Sequence, residues 1–333
     1  MAVLNVIDLG NGDYKLASNE FEGVKTYPAV SGQLSGKASY QMADKENELD
    51  AMSILVDGTE YAFGNNAIKN CKIRNHDTTE SKYTSEETML LSHAALSIMA
   101  KTTVSNVNLI IALPIHKMDE AASVIQKYKG RKFGGHLGRF GKIDSIAKSV
   151  VVDKVIAIEQ PWGTLFKTIL DGDGKLNKDL ATKGIAVYDI GFKTNDGIVF
   201  KDLDVIGRLT INSKNGMFVA FQQIQDRISG RFDGLEVKLF EVPDIIKKGS
   251  IQGKSIVDII EDAFLALAHN IALEINSKWA DAWEIEQIIF TGGGAGLLKP
   301  YLIQAFKDAQ FEGAHANADG LLRYAKRIWG DQL

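Results

Sequence analysis

Hydrophobic positions along this chain form two patterns, short continuous runs and longer helical stripes. The stripes recur every three or four positions and predict helices over Thr84 to Ala100 and Ser255 to Trp279. We interpret the stripe of the second helix as core rather than as a partner surface. The runs predict buried strands, and they cover Val3 to Ile7, Asn108 to Leu113, Val150 to Ile158, Ile185 to Tyr188 and Ile288 to Phe290.

Two of these runs end in nearly the same sequence. Asp8-Leu9-Gly10-Asn11-Gly12 follows the run from Val3, and Asp189-Ile190-Gly191-Phe192-Lys193-Thr194 follows the run from Ile185. In each case an aspartate at the strand end precedes a tight turn, with glycine two positions after the aspartate. The two aspartates lie about half the chain apart. The pattern therefore predicts two related halves, each offering a turn to one ligand.

The residue types in these turns suit a phosphate. Glycine lets the backbone approach a ligand closely, and consecutive backbone N–H groups form a concavity for anions. A carboxylate at the strand end can hold Mg²⁺ directly or through its waters. Lys15 could contact the phosphates as a point charge, and Thr194 could add a hydroxyl donor. The alternative is that each Asp-x-Gly is an ordinary hairpin turn.

A third glycine-rich segment, Thr291-Gly292-Gly293-Gly294, follows the run that ends at Phe290. The positions from Leu297 to Gln310 are predicted to form a helix after it. A strand, a glycine loop and a helix N-terminus together suit a nucleotide, with the backbone lying flat against the base or the ribose. The alternative is a plain glycine-rich connection.

Composition favours two domains, each with its own core. The chain has 333 residues, of which 45% are hydrophobic and 24% are charged, which argues against disorder. A single cysteine, Cys71, fits a reducing cytoplasm, and no apolar run approaches the roughly 20 residues that span a bilayer. We expect a cytoplasmic protein. The net charge of −4 indicates that any link to DNA passes through a partner.

The three glycine-containing motifs, taken in order, resemble the phosphate-1, phosphate-2 and adenosine motifs of the actin-like ATPase superfamily. Within it the chain looks most like the ParM-type bacterial plasmid-segregation actins. Val56 to Gly64 is similar to a hairpin of their first domain, and Leu109 to Pro114 resembles their strand ending in Leu-Pro. Asn317-Ala318-Asp319-Gly320 looks like the start of their closing helix.

The resemblance implies an α/β, actin-like fold, duplicated and ribonuclease H-like, with two domains and the nucleotide in the cleft between them. The first domain is expected over 1–170, with a small inserted subdomain at about 28–82 and turns at Ser35-Gly36 and Asp57-Gly58. The second is expected over 171–317, and its first residues, Asp171 to Lys175, are the predicted linker. The C-terminal helix, about 318–333, is expected to pack back on the first domain.

The resemblance also implies bound ATP and Mg²⁺, with preference for ATP over GTP left open. Asp8 and Asp189 would have catalytic roles by organising the magnesium, through water. The residues implied to bind the nucleotide are Gly10, Asn11, Gly12, Lys15, Gly191, Phe192, Lys193, Thr194, Gly292, Gly293 and Gly294.

Hydrolysis needs a group that orients or deprotonates the attacking water. Glu159 and Gln160 precede Pro161, where the family carries a helix start with Glu or Gln, and either side chain could take the role. A glutamine can orient water without accepting its proton. The alternative is a plain helix cap near Pro161. The following Trp162 to Thr164 departs from the small residues usual in the family.

In function, the resemblance implies head-to-tail filaments that depend on ATP hydrolysis, move plasmid DNA through a DNA-binding adaptor and act in the bacterial cytoplasm. The alternatives are a non-polymerising small-metabolite kinase and a chaperone-like nucleotide switch of the same fold.

Two further sequence features are weaker indications of a binding site. Asp171 to Gly174 is interpreted as a solvated turn rather than a calcium loop. The basic run from Lys127 to Phe133 is interpreted as a solvated loop, with a filament contact or a nucleic-acid footprint as the alternatives.

Overall fold

The computed structural model describes residues 3–34, 48–139 and 141–330. It divides into two compact units, which we call unit 1 (Met1–Asn177 with Asn317–Leu333) and unit 2 (Lys178–Ala316). None of the helices in these ranges combines the length and the apolar character that crossing a bilayer requires. The turn predicted at Ser35-Gly36 lies outside the described residues.

Strands and helices are numbered here in chain order. The strands are β1 (Val3–Leu9), β2 (Asp13–Ser18), β3 (Val24–Pro28), β4 (Ser31–Gln33), β5 (Met52–Val56), β6 (Thr59–Phe63), β7 (Val104–Leu113), β8 (Lys132–Arg139), β9 (Lys142–Ile143), β10 (Lys148–Glu159), β11 (Ile185–Ile190), β12 (Asn195–Lys201), β13 (Asp204–Val205), β14 (Ile211–Ser213), β15 (Ser250–Ile251), β16 (Lys254–Ser255), β17 (Gln287–Thr291) and β18 (Gln310–Phe311). The helices are α1 (Asn65–Asn70), α2 (Glu86–Met99), α3 (Ala121–Tyr128), α4 (Gln160–Ile169), α5 (Lys178–Ala181), α6 (Met217–Arg231), α7 (Val242–Lys248), α8 (Val257–Trp279), α9 (Ala295–Leu302) and α10 (Ala316–Trp329).

Unit 1 is built on one sheet with the order β3-β2-β1-β7-β10-β8-β5-β6-β4, and β9 pairs with β8. β1, β7 and β10 run parallel, and β1 forms an antiparallel hairpin with β2. Every residue of β1 after Val3 is buried, as expected for a central parallel strand with both faces covered. The predicted hairpin at Val56 to Gly64 is confirmed as β5 and β6, with Asp57 and Gly58 at positive φ in its turn.

Unit 2 repeats the central part of this plan. Its main sheet has the order β13-β12-β11-β17-β18, and β14 pairs with β12. β11 pairs antiparallel with β12 and parallel with β17, as β1 does with β2 and β7. The two Asp-x-Gly turns therefore connect equivalent hairpins, and the predicted duplicated α/β fold is confirmed.

The two predicted helical stripes are confirmed as α2 and α8. The stripe of α8 is core, because all seven of its apolar members are buried: Ile256, Ile259, Ile260, Phe264, Leu267, Ile271 and Ile275. The helix predicted over Leu297 to Gln310 is wrong in extent, since α9 ends at Leu302. The following residues instead bring Phe306 and Phe311 onto Phe290, with ring centroids 5.4 and 5.0 Å away.

The basic run from Lys127 to Phe133 belongs to the core of unit 1 through its aromatic residues. Tyr128 and Phe133 are buried and stack with centroids 5.2 Å apart. The Tyr128 hydroxyl also lies 2.7 Å from the hydroxyl of Ser92. The run spans the end of α3 and the start of β8, so its prediction as a solvated loop is wrong for the aromatic positions.

Two glycines let α10 lie directly on α4 within unit 1. A Cβ on Gly320 would meet the Gly163 carbonyl and would lie 2.5 Å from the Lys167 nitrogen. A Cβ on Gly163 would in turn meet the backbone of Asn317, at 2.5 Å from its Cα. The Thr164 hydroxyl donates to Asn317 Oδ1 at 2.7 Å beside this contact. The helices therefore pack backbone to backbone, with no room for a side chain between them.

We expect Gly320→Ala to destabilise unit 1. An alanine in a helix interior is ordinarily about 1 kcal/mol more favourable than glycine. Overpacking against backbone costs about 1–3 kcal/mol, so the net change here should be a loss. Urea unfolding followed by fluorescence checks the sign. Gly172→Ala is the matched control, because a Cβ there meets no atom within 4 Å. A stabilised Gly320→Ala protein would contradict the close packing.

Candidate functional site

The first turn connects β1 to β2 beside the carboxylate of Asp8, which is only 1% exposed. Lys15, its partner in the hairpin register, places Nζ 3.0 Å from Asp8 Oδ2. The side-chain amide of Gln160 donates to Asp8 Oδ1 at 2.6 Å. The structure thus brings together three of the predicted site residues: Asp8, Lys15 and Gln160.

Glu159 and Gln160 lie at the junction where β10 ends and α4 begins. Pro161 occupies the first turn of α4, where a proline costs no helical hydrogen bond. The two side chains have different partners: Gln160 contacts Asp8, whereas Glu159 Oε2 accepts a hydrogen bond from Trp162 Nε1 at 2.6 Å. Of the two candidates, Gln160 is the one placed beside the first turn.

The second turn connects β11 to β12 and has the same local geometry as the first. Asp189 is 6% exposed, and the Gly191 N–H donates to the Thr194 carbonyl at 3.0 Å. A Cβ on Gly191 would lie 2.6 Å from that carbonyl oxygen, and a Cβ on Gly10 would meet the Asp13 carbonyl in the same way. Glycine two positions after each aspartate is therefore required by the turn itself.

Backbone groups at the start of α6 bind the carbonyls of the second turn. The Phe192 side chain packs edge-on against Phe218 and Phe221, with centroids 5.9 and 6.0 Å away, so it belongs to the core of unit 2. Three consecutive carbonyls, those of Gly191, Phe192 and Lys193, accept hydrogen bonds from the N–H groups of Met217, Phe218 and Gly216 at 3.0, 2.7 and 3.3 Å.

In the first turn, two side chains take the place of those backbone groups. The ammonium of Lys82, a residue only 2% exposed, donates to the carbonyls of Leu9 at 3.1 Å and Gly10 at 2.5 Å. His76 Nε2 lies 2.7 Å from the Asn11 carbonyl, which can only accept, so this nitrogen carries a proton. No local pattern marks either residue in the sequence, because Lys82 lies 72 positions beyond Gly10 and His76 lies 65 beyond Asn11.

These contacts fix the direction of the amides in both turns. In a trans peptide unit the carbonyl and the N–H of the next residue point in opposite directions. The three N–H groups that follow these carbonyls therefore point away from the groups that bind the carbonyls, an arrangement suited to an anion. They belong to Gly10, Asn11 and Gly12 in unit 1 and to Phe192, Lys193 and Thr194 in unit 2.

The glycine loop after β17 lies beside Asp189 within unit 2. Gly292 has φ +90°, and a Cβ there would meet Asp189 Oδ1. A Cβ on Gly294 would lie 2.5 Å from Ile190 Cγ2 and 2.7 Å from Met217 Sδ. Gly293, in contrast, is exposed and a Cβ there would meet nothing within 4 Å. The structure thus joins the second and third motifs, and it leaves open space only at the middle glycine.

Each aspartate, taken within its own unit, offers a donor type that suits a magnesium ion held through water. Within the described ranges no group of three or more His, Cys, Asp or Glu side chains converges to form a metal site. Each carboxylate lies at the end of a central strand beside its turn. Mg²⁺ keeps several waters and is usually bound by one or two carboxylates together with phosphates, so this donor set is compatible with it.

Two family models match the chain. The model described as the N-terminal domain of actin-like proteins matches residues 6–163, and the model of the C-terminal domain of an archaeal, MreB-like actin homologue matches residues 187–304. No curated protein sequence matches this one.

Solved structures of actin homologues share the fold over nearly the whole chain. A 15-stranded ParM filament from Clostridium botulinum is 19% identical with a TM-score of 0.80, over 98% of this chain and 99% of that one. An archaeal actin homologue in complex with ADP is 16% identical with a TM-score of 0.76, over 98% and 100%. A Bacillus thuringiensis ParM with ATP is 14% identical with a TM-score of 0.69, over 98% of each.

At these identities the structural likeness shows the fold alone, and the family rests on the two models. Together they cover the strand and turn of both phosphate-type motifs, the glycine loop and most of the sequence between them. The chain therefore belongs to the actin-like superfamily.

Proposed function

We propose that this protein is a magnesium-dependent ATPase that assembles into nucleotide-dependent filaments. One observation carries the proposal. Each unit ends a central strand in a buried aspartate and follows it with a turn whose amides all face one side. Two such turns in one chain suit a ligand with several linked phosphates. The ADP- and ATP-containing structures of its structural neighbours support a nucleotide as that ligand.

The adenosine part of the nucleotide is assigned to the glycine loop. Gly293 is the position where the backbone has no protein neighbour on its Cβ side, so a flat base or ribose can approach it closely. The loop is fixed in place by the Gly294 N–H, which donates to the Ile190 carbonyl at 3.0 Å. It therefore offers a rigid surface next to the second turn.

Asp8 and Asp189 are assigned to hold Mg²⁺ through its waters. The ion would supply positive charge against the phosphate oxygens. Gln160 is assigned to orient the attacking water, because its amide lies beside Asp8, whereas the Glu159 carboxylate accepts from Trp162. An amide in this place positions the water without taking its proton.

Filament formation follows from the same site by linkage. A γ-phosphate bound by the turns of both units favours the arrangement that brings those turns together, and hydrolysis removes that preference. Head-to-tail contacts whose rotation does not close a ring produce a helical filament. The likeness to a ParM filament supports this assembly. The role proposed for the filaments, moving plasmid DNA in the bacterial cytoplasm through a DNA-binding adaptor, rests on the resemblance of the sequence motifs.

Filaments should form with nucleotide and disappear after hydrolysis. We expect light scattering and pelleting to rise on addition of Mg-ATP or a non-hydrolysable analogue, and to stay low with Mg-ADP or with ATP in excess chelator. A parallel arm with Mg-GTP determines the base preference. Hydrolysis or tight binding without any scattering would contradict assembly and favour the small-metabolite kinase or the chaperone-like switch.

Gly293→Val should weaken nucleotide binding at least about tenfold, which is about 1.4 kcal/mol. The Cβ of the new side chain would meet no protein atom within 4 Å, so we expect its effect to arise from the space that the ligand needs. Calorimetric titration with Mg-ATP provides the measurement. The control is Gly207→Val, an open glycine elsewhere in unit 2. Unchanged affinity in folded Gly293→Val protein would mean that the loop is only a connection.

Gln160→Ala should slow phosphate release by at least about tenfold while sparing nucleotide binding, because a misplaced water loses the benefit of a positioned partner. Filaments grown with ATP should then last longer. Glu159→Ala should have the smaller effect on hydrolysis, since its carboxylate is bonded to Trp162. A sedimentation time course beside a phosphate-release assay tests both. The reverse order of effects would transfer the role to Glu159.

A further inference from the structure

In the first turn a buried lysine ammonium binds the backbone carbonyls, whereas in the second turn backbone N–H groups bind them. The carbonyls of the second turn are bound by neutral backbone N–H groups at the start of α6. Those of the first are bound by the ammonium of Lys82 and by His76. The two halves therefore orient their amides by different chemistry.

Burying a lysine ammonium costs free energy unless hydrogen bonds or opposite charges compensate it. Part of the compensation comes from the turn, because Nζ also lies 3.4 Å from Asn11 Oδ1. Further compensation comes from the faces of Tyr14 and Tyr83, whose ring centroids are each 5.5 Å from Nζ.

The tyrosine beneath the turn does not neutralise this charge. Burial, together with the neighbouring Tyr128 hydroxyl, raises the pKa of Tyr14 well above its ordinary value. Its hydroxyl therefore stays protonated and donates to Thr88 Oγ1 at 3.2 Å.

Lys82 directs its ammonium at the carbonyl side of the turn. Against the opposing effect of burial, hydrogen bonds from Thr79 and Ser85, together with the charge of Lys82, lower the pKa of Asp77, so an acidic group of the same segment also interacts with this ammonium. A positive charge in this place favours an anion on the amide side.

Lys82 and His76 belong to one segment, Cys71 to Ser85, that is anchored at both ends. Near its start, Asn75 exchanges two backbone hydrogen bonds with Ser31 of β4, at 2.8 and 3.0 Å. At its end, the Ser85 side chain caps α2 by accepting from the Thr88 N–H. The segment therefore connects the small strands β4 to β6 with the turn.

We infer that Lys82, assisted by His76, is a positioning residue that makes the first turn a polyphosphate site. It binds the carbonyls of Leu9 and Gly10, directs the amides of Gly10 and Asn11 to the ligand side, and adds charge behind them. Lys82 acts through the turn and does not contact the ligand. The inference rests on the proposed nucleotide site and names a residue that determines its preference for phosphates.

The test compares ATP with AMP, which lacks the β- and γ-phosphates, by calorimetric titration of Lys82→Met. We expect ATP affinity to fall at least tenfold and AMP affinity to stay within about twofold, so the ratio between them collapses. Lys82→Arg should retain part of the ratio, because a guanidinium can also donate to carbonyls. His76 is half-buried, and His76→Ala should shift the ratio of ATP to AMP affinity in the same direction but by a smaller amount.

Lys117→Met is the matched control. Lys117 is the other buried lysine among the described residues, and its ammonium holds the same segment by donating to the Glu80 carbonyl at 2.8 Å and to Glu120 at 2.7 Å. Loosening the segment there should leave the ATP-to-AMP ratio unchanged. The ratio therefore separates orientation of the turn from general stability, which thermal melting of each variant reports.

Three outcomes would overturn the inference. Equal losses for ATP and AMP in Lys82→Met would show a structural role only, and unchanged ATP affinity would show none. If Lys82→Met does not fold, an unchanged ratio in both His76→Ala and Lys82→Arg overturns it. Failure of the unaltered protein to bind ATP would instead overturn the proposed function, and the inference with it.

Discussion

The buried carboxylates of Asp8 and Asp189 are the constraint on which the rest of the site depends. A carboxylate removed from water needs hydrogen bonds or a nearby positive charge. Asp8 obtains both, from Gln160 at the start of α4 and from Lys15 across the hairpin. Asp189 imposes a different requirement, because its Oδ1 occupies the space of a Cβ at Gly292. Each aspartate thereby fixes which residue type stands at a distant position of its own unit.

The difference between the two turns follows from how the chain returns to them. In unit 2 the chain comes back at Gly216, and the backbone of α6 supplies the donors directly. In unit 1 the small strands β4 to β6 intervene, and the segment that returns from them supplies Lys82 and His76 as side chains. A duplicated fold can therefore keep one backbone geometry while its two copies use unlike groups. The copy that depends on side chains is the one that a single substitution can alter.

The elements set by local pattern could be predicted from the sequence, and those set by distant contacts could not. The strand-turn repeats at Asp8 and Asp189 and the long stripe of α8 identified the duplicated fold, because periodicity and turn chemistry are local. The early end of α9 depends on aromatic packing around Phe290. Lys82 lies far from its turn in the sequence, so no local pattern marks it. The proposal of Gln160 over Glu159 likewise depends on the position of Asp8, which lies far away in the sequence.

The glycines of the three motifs do not all carry the same information. Gly10 and Gly191 are explained by the carbonyl that closes each turn, and Gly292 and Gly294 by Asp189, Ile190 and Met217. Any hairpin with this geometry would need Gly10 and Gly191, and any loop packed in this way would need Gly292 and Gly294, with or without a ligand. Gly293 has no such explanation, since a Cβ there would meet no atom within 4 Å. The physical case for a ligand therefore rests on one unconstrained glycine and on the shared direction of six amides, more than on the richness of the motifs in glycine.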